Sequence, residues 1–154
     1  MTSDSTATPP EQDAGGNRLL IVEVRGGLYG IDSSTVREIV TALDATRLPG
    51  APGHVRGVVN MRGQLLTVVD LGHRLTGARA VAAEGEGSIV VITSSDRTLG
   101  VLVEDVHDVQ EIHVVPTERE VLARAEGLLT GVGRLGEEVV LVIDIPELVR
   151  QTLA

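Results

Sequence analysis

Cysteine, tryptophan and phenylalanine are absent from the 154 residues, and Tyr29 is the only aromatic side chain. Without cysteine there is no disulfide frame, no thiolate metal site and no thiol nucleophile. Without aromatics the core must be assembled from Val, Leu, Ile and Ala, and such β-branched richness favours sheet. Basic residues are scarce, 13 against 22 acids for a net charge of −9. That balance excludes nucleic-acid binding, which depends on clustered cations against phosphates. Long apolar runs are missing too: none nears the ~18 residues of a membrane span, and the N-terminus lacks the basic start and apolar stretch of a signal peptide. The reading is a soluble cytoplasmic protein with no direct membrane insertion.

What is present is a chain long enough for one domain, or for two small halves packed closely, with 42% hydrophobic residues. Residues 1–16, MTSDSTATPPEQDAGG, hold three acids, no base and two prolines, the composition of a disordered acidic tail. The tail does not account for the acidity, because 19 of the 22 acids lie beyond it, against 13 bases. Past the tail, short apolar runs alternate with glycine-containing turns. LLIVEV (19–24) and LYGID (28–32) flank Arg25-Gly26-Gly27 as a hairpin. Ser33 or Ser34 is placed to cap one helical turn over Val36 to Ile39, and RLPGAPGHVRG (47–57) is expected to be irregular. Strands are expected at 64–69, 88–93, 99–106 and 138–144, with side chains at alternate positions of 19–24, 65–69 and 139–143 facing inward. Thr117 and Glu120 spell a capping box and Gly127 a stop, predicting a helix over 118–125. Pro146 opens a short last helix over 146–153.

The chain resembles itself. A shift of 74 positions lays GVVNMRGQLLTVVDL (57–71) over GVGRLGEEVVLVIDI (131–145), and a shift of 73 sets Val36, Glu38 and Ile39 on Val109, Glu111 and Ile112. The implied architecture is mainly β, two related halves at roughly 17–82 and 86–150. Each would supply about five strands, enough for a small closed barrel whose edges are protected.

The repeat separates scaffold positions from exceptional ones. Asp70 and Asp144 recur at the same strand end before a helical turn, and Glu147 follows Asp144 by three residues, so both read as N-caps. Arg62, by contrast, faces Gly136, and Gly63 faces Glu137. A feature of one half alone is not demanded by the shared scaffold, which makes Arg62 a candidate for specific function. Other motifs carry less. GVGRLG (131–136) spells a dinucleotide fingerprint, but a strand follows it where that motif needs a helix. His107 and His113 among Glu104, Asp105, Asp108 and Glu111 match no compact ligand spacing, and neither a metal nor a cofactor is expected. Serines 33, 34, 94 and 95 have no adjacent histidine for a triad. Tyr29 reads as a half-buried packing residue.

RLLIVEVRGGLYGIDSSTVREI followed by TRLPGAPGHVRGVVNMRGQLLTVVDL resembles the CheW-like domain of bacterial chemotaxis coupling proteins. The family pattern has a Tyr-x-Ile/Val-Asp strand, a Val-x-Glu-Ile segment, a Pro-x-x-Pro connection, then Gly-Val-x-Asn-Leu-Arg-Gly and a strand ending Val-Asp-Leu. Order and spacing agree from about Arg18 to Val149, with Met61 in place of the usual leucine and Thr67 where proline is frequent. The resemblance implies two SH3-like β-barrel subdomains packed together over 17–154, with short helices. It also implies a non-catalytic adaptor joining the regulatory domain of the histidine kinase CheA to the cytoplasmic tip of chemoreceptors. Output through pili or gene expression is the alternative within the family, and a small-molecule-binding β-barrel the alternative outside it. By the same resemblance Val36, Glu38, Gly57, Asn60, Arg62 and Gly63 lie at or near the partner surface. Glu38 is the expected partner of Arg62 at a groove rim, with Val36 and Leu65 as the apolar seats of a docking helical hairpin.

Overall fold

The computed structural model describes residues 16–79, 86–116, 118 and 126–153. The tail over 1–15 and the helix expected over 118–125, Glu118 apart, lie outside them. Eleven strands are described: β1 (Asn17–Val24), β2 (Gly27–Asp32), β3 (Val36–Thr41), β4 (Val55–Met61), β5 (Gln64–Asp70), β6 (Ser88–Ser94), β7 (Arg97–Val103), β8 (Asp105–Ile112), β9 (Val115–Pro116), β10 (Leu129–Leu135) and β11 (Glu138–Ile143). Two helices, α1 (Leu71–Thr76) and α2 (Ile145–Leu153), follow β5 and β11.

The strands form two sheets of the same design. One runs β3-β6-β7-β5-β4, the other β8-β1-β2-β11-β10-β9. In each, the last hairpin meets the preceding one through a parallel pair, β5 with β7 and β11 with β2. Each also closes on itself. The chain leaving β3 reaches Thr46, whose N–H and C=O both bond Val58 of β4; the chain leaving β8 becomes β9, which pairs with β10. These are two small barrels, and the closure removes their edges.

The repeat and the barrels divide the chain differently. The first barrel is β3 to β7, whereas the second takes β8 to β11 and completes itself with the N-terminal hairpin β1–β2, β1 lying antiparallel to β8. The halves 17–82 and 86–150 therefore do not coincide with the sheets. Residues 88–103 close the first barrel and residues 17–32 the second.

Three apolar clusters explain the sequence pattern. Leu19 and Ile21 of β1 point into the second barrel with Ile112, Val140 and Val142. Leu20, Val22 and Val24, on the opposite face, enter the seam between the barrels, where they meet Val90, Ile92, Leu99 and Val101 of the first barrel and Leu148 of α2. β6 behaves likewise, with Ile89 and Val91 inside the first barrel and Val90 and Ile92 in the seam. LLIV (19–22) and IVVI (89–92) are thus apolar throughout because both strand faces are buried. The alternate inward positions expected of 19–24 give way to this double burial. They hold in β5, where Leu66 and Val68 are buried and Leu65 exposed, and in β11, where Val140 and Val142 are buried and Val139 exposed. Tyr29 is half-buried against the seam, and burial raises its phenol above the ordinary value.

One local expectation is corrected. Val36 to Ile39 is not a helical turn: Asp32 caps a 3₁₀ turn confined to Ser33–Thr35, its carboxylate accepting from the Ser34 N–H at 3.0 Å, and the chain then enters β3. The alternation of half-buried and exposed positions along Val-Arg-Glu-Ile-Val-Thr, and pairing with β6, favour strand there.

Candidate functional site

β4 and β5 join through the two-residue turn Arg62-Gly63, between the paired residues Met61 and Gln64. Both turn residues have positive φ, 51° and 84°, the signature of a type I′ hairpin turn, which suits the twist of the flanking strands. Asn60 holds the turn, its Oδ1 accepting from the Gly63 N–H at 2.9 Å. The turn aims the Arg62 guanidinium across the open face of the first barrel to Glu38 of β3, where it donates to both carboxylate oxygens. The pair is exposed, and the hydrogen bond to Glu38 raises the guanidinium above its ordinary value.

Beneath this bridge lies a groove of about 570 Å³. Arg37 and Glu38 come to it from β3, Met61 from β4, Leu65 and Leu66 from β5, and Asp96 from the β6–β7 turn. Leu65 is 77% exposed, more than any other large hydrophobic described. Its register partner is Asn60, so it stands one pair from the turn that carries Arg62. Leu65 thus leaves its apolar side chain in water beside the exposed Arg62–Glu38 pair.

Of the seven residues expected at a partner surface, three line the groove together: Glu38, Arg62 and Leu65. Asn60 and Gly63 build the turn. Val36 is half-buried, packs against the seam and is not among the groove residues. Gly57 is buried at the barrel closure: a Cβ there would lie 2.2 Å from the Thr46 carbonyl oxygen, and its φ is 138°. Gly131, its repeat mate, is crowded in the same way by Val114 and Val115. Gly131 and Gly133 thus admit neighbouring chain within β10, whereas Gly136 lies in the β10–β11 turn at a φ of 62°.

Both aspartates cap as expected, Asp70 accepting from the His73 N–H and Asp144 from the Glu147 N–H, each at 3.0 Å. Asp70 does more. It is fully buried and accepts from Arg56 Nη1 at 3.1 Å, and Arg56 is itself buried. The sequence reading missed this ion pair, because Arg56 sits in a Pro/Gly-rich stretch that reads as exposed loop. Among the described residues one set, Glu23, Asp105 and His107, brings three possible metal-ligand atoms within 4.8 Å of one another. Glu23 reaches it from the neighbouring strand β1, a contact that local spacing could not reveal. No helix among the described residues is long and apolar enough to cross a membrane.

Comparison with known proteins agrees with this architecture. A family model described as the CheW-like domain matches residues 18–153. Chemotaxis protein CheW of Klebsiella aerogenes is 31% identical over 137 residues, which cover 86% of this chain and 81% of that protein. Its namesake in Bacillus subtilis is 30% identical over 113 residues, covering 73% and 69%. The crystal structure of the scaffolding protein TtCheW from Thermoanaerobacter tengcongensis superposes with a TM-score of 0.74 at 23% identity, over 84% of this chain and 89% of that one, a likeness of fold. With nearly all the described residues inside the matched span and two closed barrels on one seam, this chain belongs to the CheW-like family.

Proposed function

We propose that the protein is a chemotaxis adaptor, acting without a catalytic step, that couples the cytoplasmic tip of chemoreceptors to the regulatory domain of the histidine kinase CheA, in receptor arrays on the cytoplasmic side of the inner membrane. Family membership supports the adaptor role. The observation that carries the receptor half of the reading is the groove of the first barrel, with exposed Leu65 beside the Arg62–Glu38 bridge. Leu65 and Met61 offer the apolar seat for a receptor helical hairpin, and the bridge fixes its register. Val36 acts indirectly, by holding β3 against the seam.

An exposed ion pair adds little to folding. Arg62→Ala and Glu38→Ala are therefore expected to leave the melting temperature nearly unchanged while weakening binding of a receptor-tip fragment about tenfold. Calorimetric titration of that fragment against wild type and both variants tests the reading. Equal affinities in all three would reduce Arg62 to an ordinary turn residue.

A further inference from the structure

The second barrel carries a groove of its own at the place equivalent to the first. About 300 Å³ in volume, it is lined by the β1–β2 hairpin, by β8 and by the two ends of the β10–β11 turn. The repeat maps one groove onto the other: Leu135 stands where Met61 stands, Glu138 where Gln64 stands, and Gln110 where Arg37 stands. The turns Arg25-Gly26 and Ser95-Asp96, both at positive φ, occupy matching corners.

The floor stays apolar, with Ile21, Leu28 and Leu135, but the charge differs. The first groove balances Arg37 and Arg62 against Glu38 and Asp96. The second has three carboxylates at its lining, Glu23, Asp108 and Glu138, and neither arginine nor lysine. Gly136 replaces Arg62, so no cation spans this groove, and the His107 ring, 3.2 Å from Glu23, is its single basic group. Carboxylates ringing an apolar floor are complementary to a segment that presents aliphatic side chains between lysines or arginines.

We propose that this second groove is a docking surface for a cationic amphipathic segment of a protein partner, separate from the groove that carries Arg62. The segment's aliphatic side chains rest on Leu28 and Leu135, and its basic groups meet Glu23, Asp108 and Glu138. Duplicated barrels thus offer two grooves at equivalent places, one of balanced charge and one acidic.

The probe is a labelled amphipathic peptide with leucines on one face and lysines on the other, beside the same peptide with every lysine changed to glutamate, measured by fluorescence anisotropy on the full chain. The lysine peptide binds and the glutamate peptide does not. The combined variant Glu23→Gln, Asp108→Asn, Glu138→Gln loses about tenfold in affinity. Neutralising the exposed acids Asp44, Glu86 and Glu118, an equal change in net charge, alters it less than about twofold. Gln110→Arg, which restores the first groove's cation, weakens binding as well. Thermal melts check that each variant is folded. Equal losses from the two neutralised sets would trace the attraction to overall charge, and failure of the lysine peptide to bind wild type would remove the site; either overturns the proposal.

Discussion

The two barrels share a topology, a closing glycine and a capping aspartate, yet at three equivalent places they part. Arg62 faces Gly136, Arg56 faces Thr130, and the balanced groove faces an acidic one. The agreements lie where backbone must close or a helix must start, that is, where the scaffold requires them. The departures lie where a side chain leaves the scaffold. Duplication thus acts as an internal control: whatever one barrel manages without is not needed to fold a barrel of this kind.

The largest expected effect tests the aspartates. Asp70 and Asp144 make the same cap at 3.0 Å, but only Asp70 also faces a buried arginine. Asp144→Ala loses a cap, about 1 kcal/mol. Asp70→Ala loses a cap and also a buried carboxylate that accepts from Arg56, and so should cost more than Asp144→Ala, about 2–3 kcal/mol in total. Chemical denaturation of both variants measures the difference. Similar losses would mean that the Arg56–Asp70 bond adds nothing to stability beyond the cap.

A comparable effect is expected at the closure. Gly57→Ala puts a Cβ against the Thr46 carbonyl in a backbone conformation that L-residues avoid, and should cost about 2–3 kcal/mol. Thr46 then moves away from Val58, whose two backbone hydrogen bonds with Thr46 close the barrel. Hydrogen exchange at Val58 and Thr46 should rise well above that at Leu102 in the same barrel. Uniform protection across the sheet would show that the first barrel does not depend on this crossing.

The duplication was legible in the sequence because it rests on hydrophobic spacing and turn residues, both local. The pairing of Glu38 with Arg62 was legible through the family pattern. The exchange of the N-terminal hairpin was not, since β1 contacts β8 across some ninety residues and nothing in LLIVEV names its partner. Its continuous apolar run was the available signal: a strand buried on both faces needs a second layer, here the seam. β3 was misread because Ser33-Ser34-Thr35 offers helix-start residues, whereas tertiary pairing with β6 decides the segment that follows. Arg56 and Asp70 escaped because burial of an ion pair depends on what surrounds it, and the residues concerned look solvent-facing in isolation.

The smallest effect separates the two helices that follow the capping aspartates. α1 has no acid in its first turn, whereas α2 has Glu147, whose carboxylate accepts from Arg150 Nε at 3.0 Å and from Gln151 Nε2 at 2.7 Å. The hydrogen bond from Arg150, and after it that from Gln151, lower the Glu147 carboxyl from 4.5 to about 2. A carboxyl depressed in the folded state binds its proton more readily when unfolded. Its contribution to stability is therefore present above pH 4.5 and disappears as pH falls toward about 2. Glu147→Gln should be less stable than wild type at neutral pH, with the difference closing as pH falls from 4.5 toward about 2. Glu147 is partly exposed, so added salt should shrink the difference. Carboxyl NMR titration gives the direct measurement: a Glu147 midpoint near 4.5 would mean that Arg150 and Gln151 do not hold it in solution, and α2 would then differ from α1 in sequence but not in its response to acid.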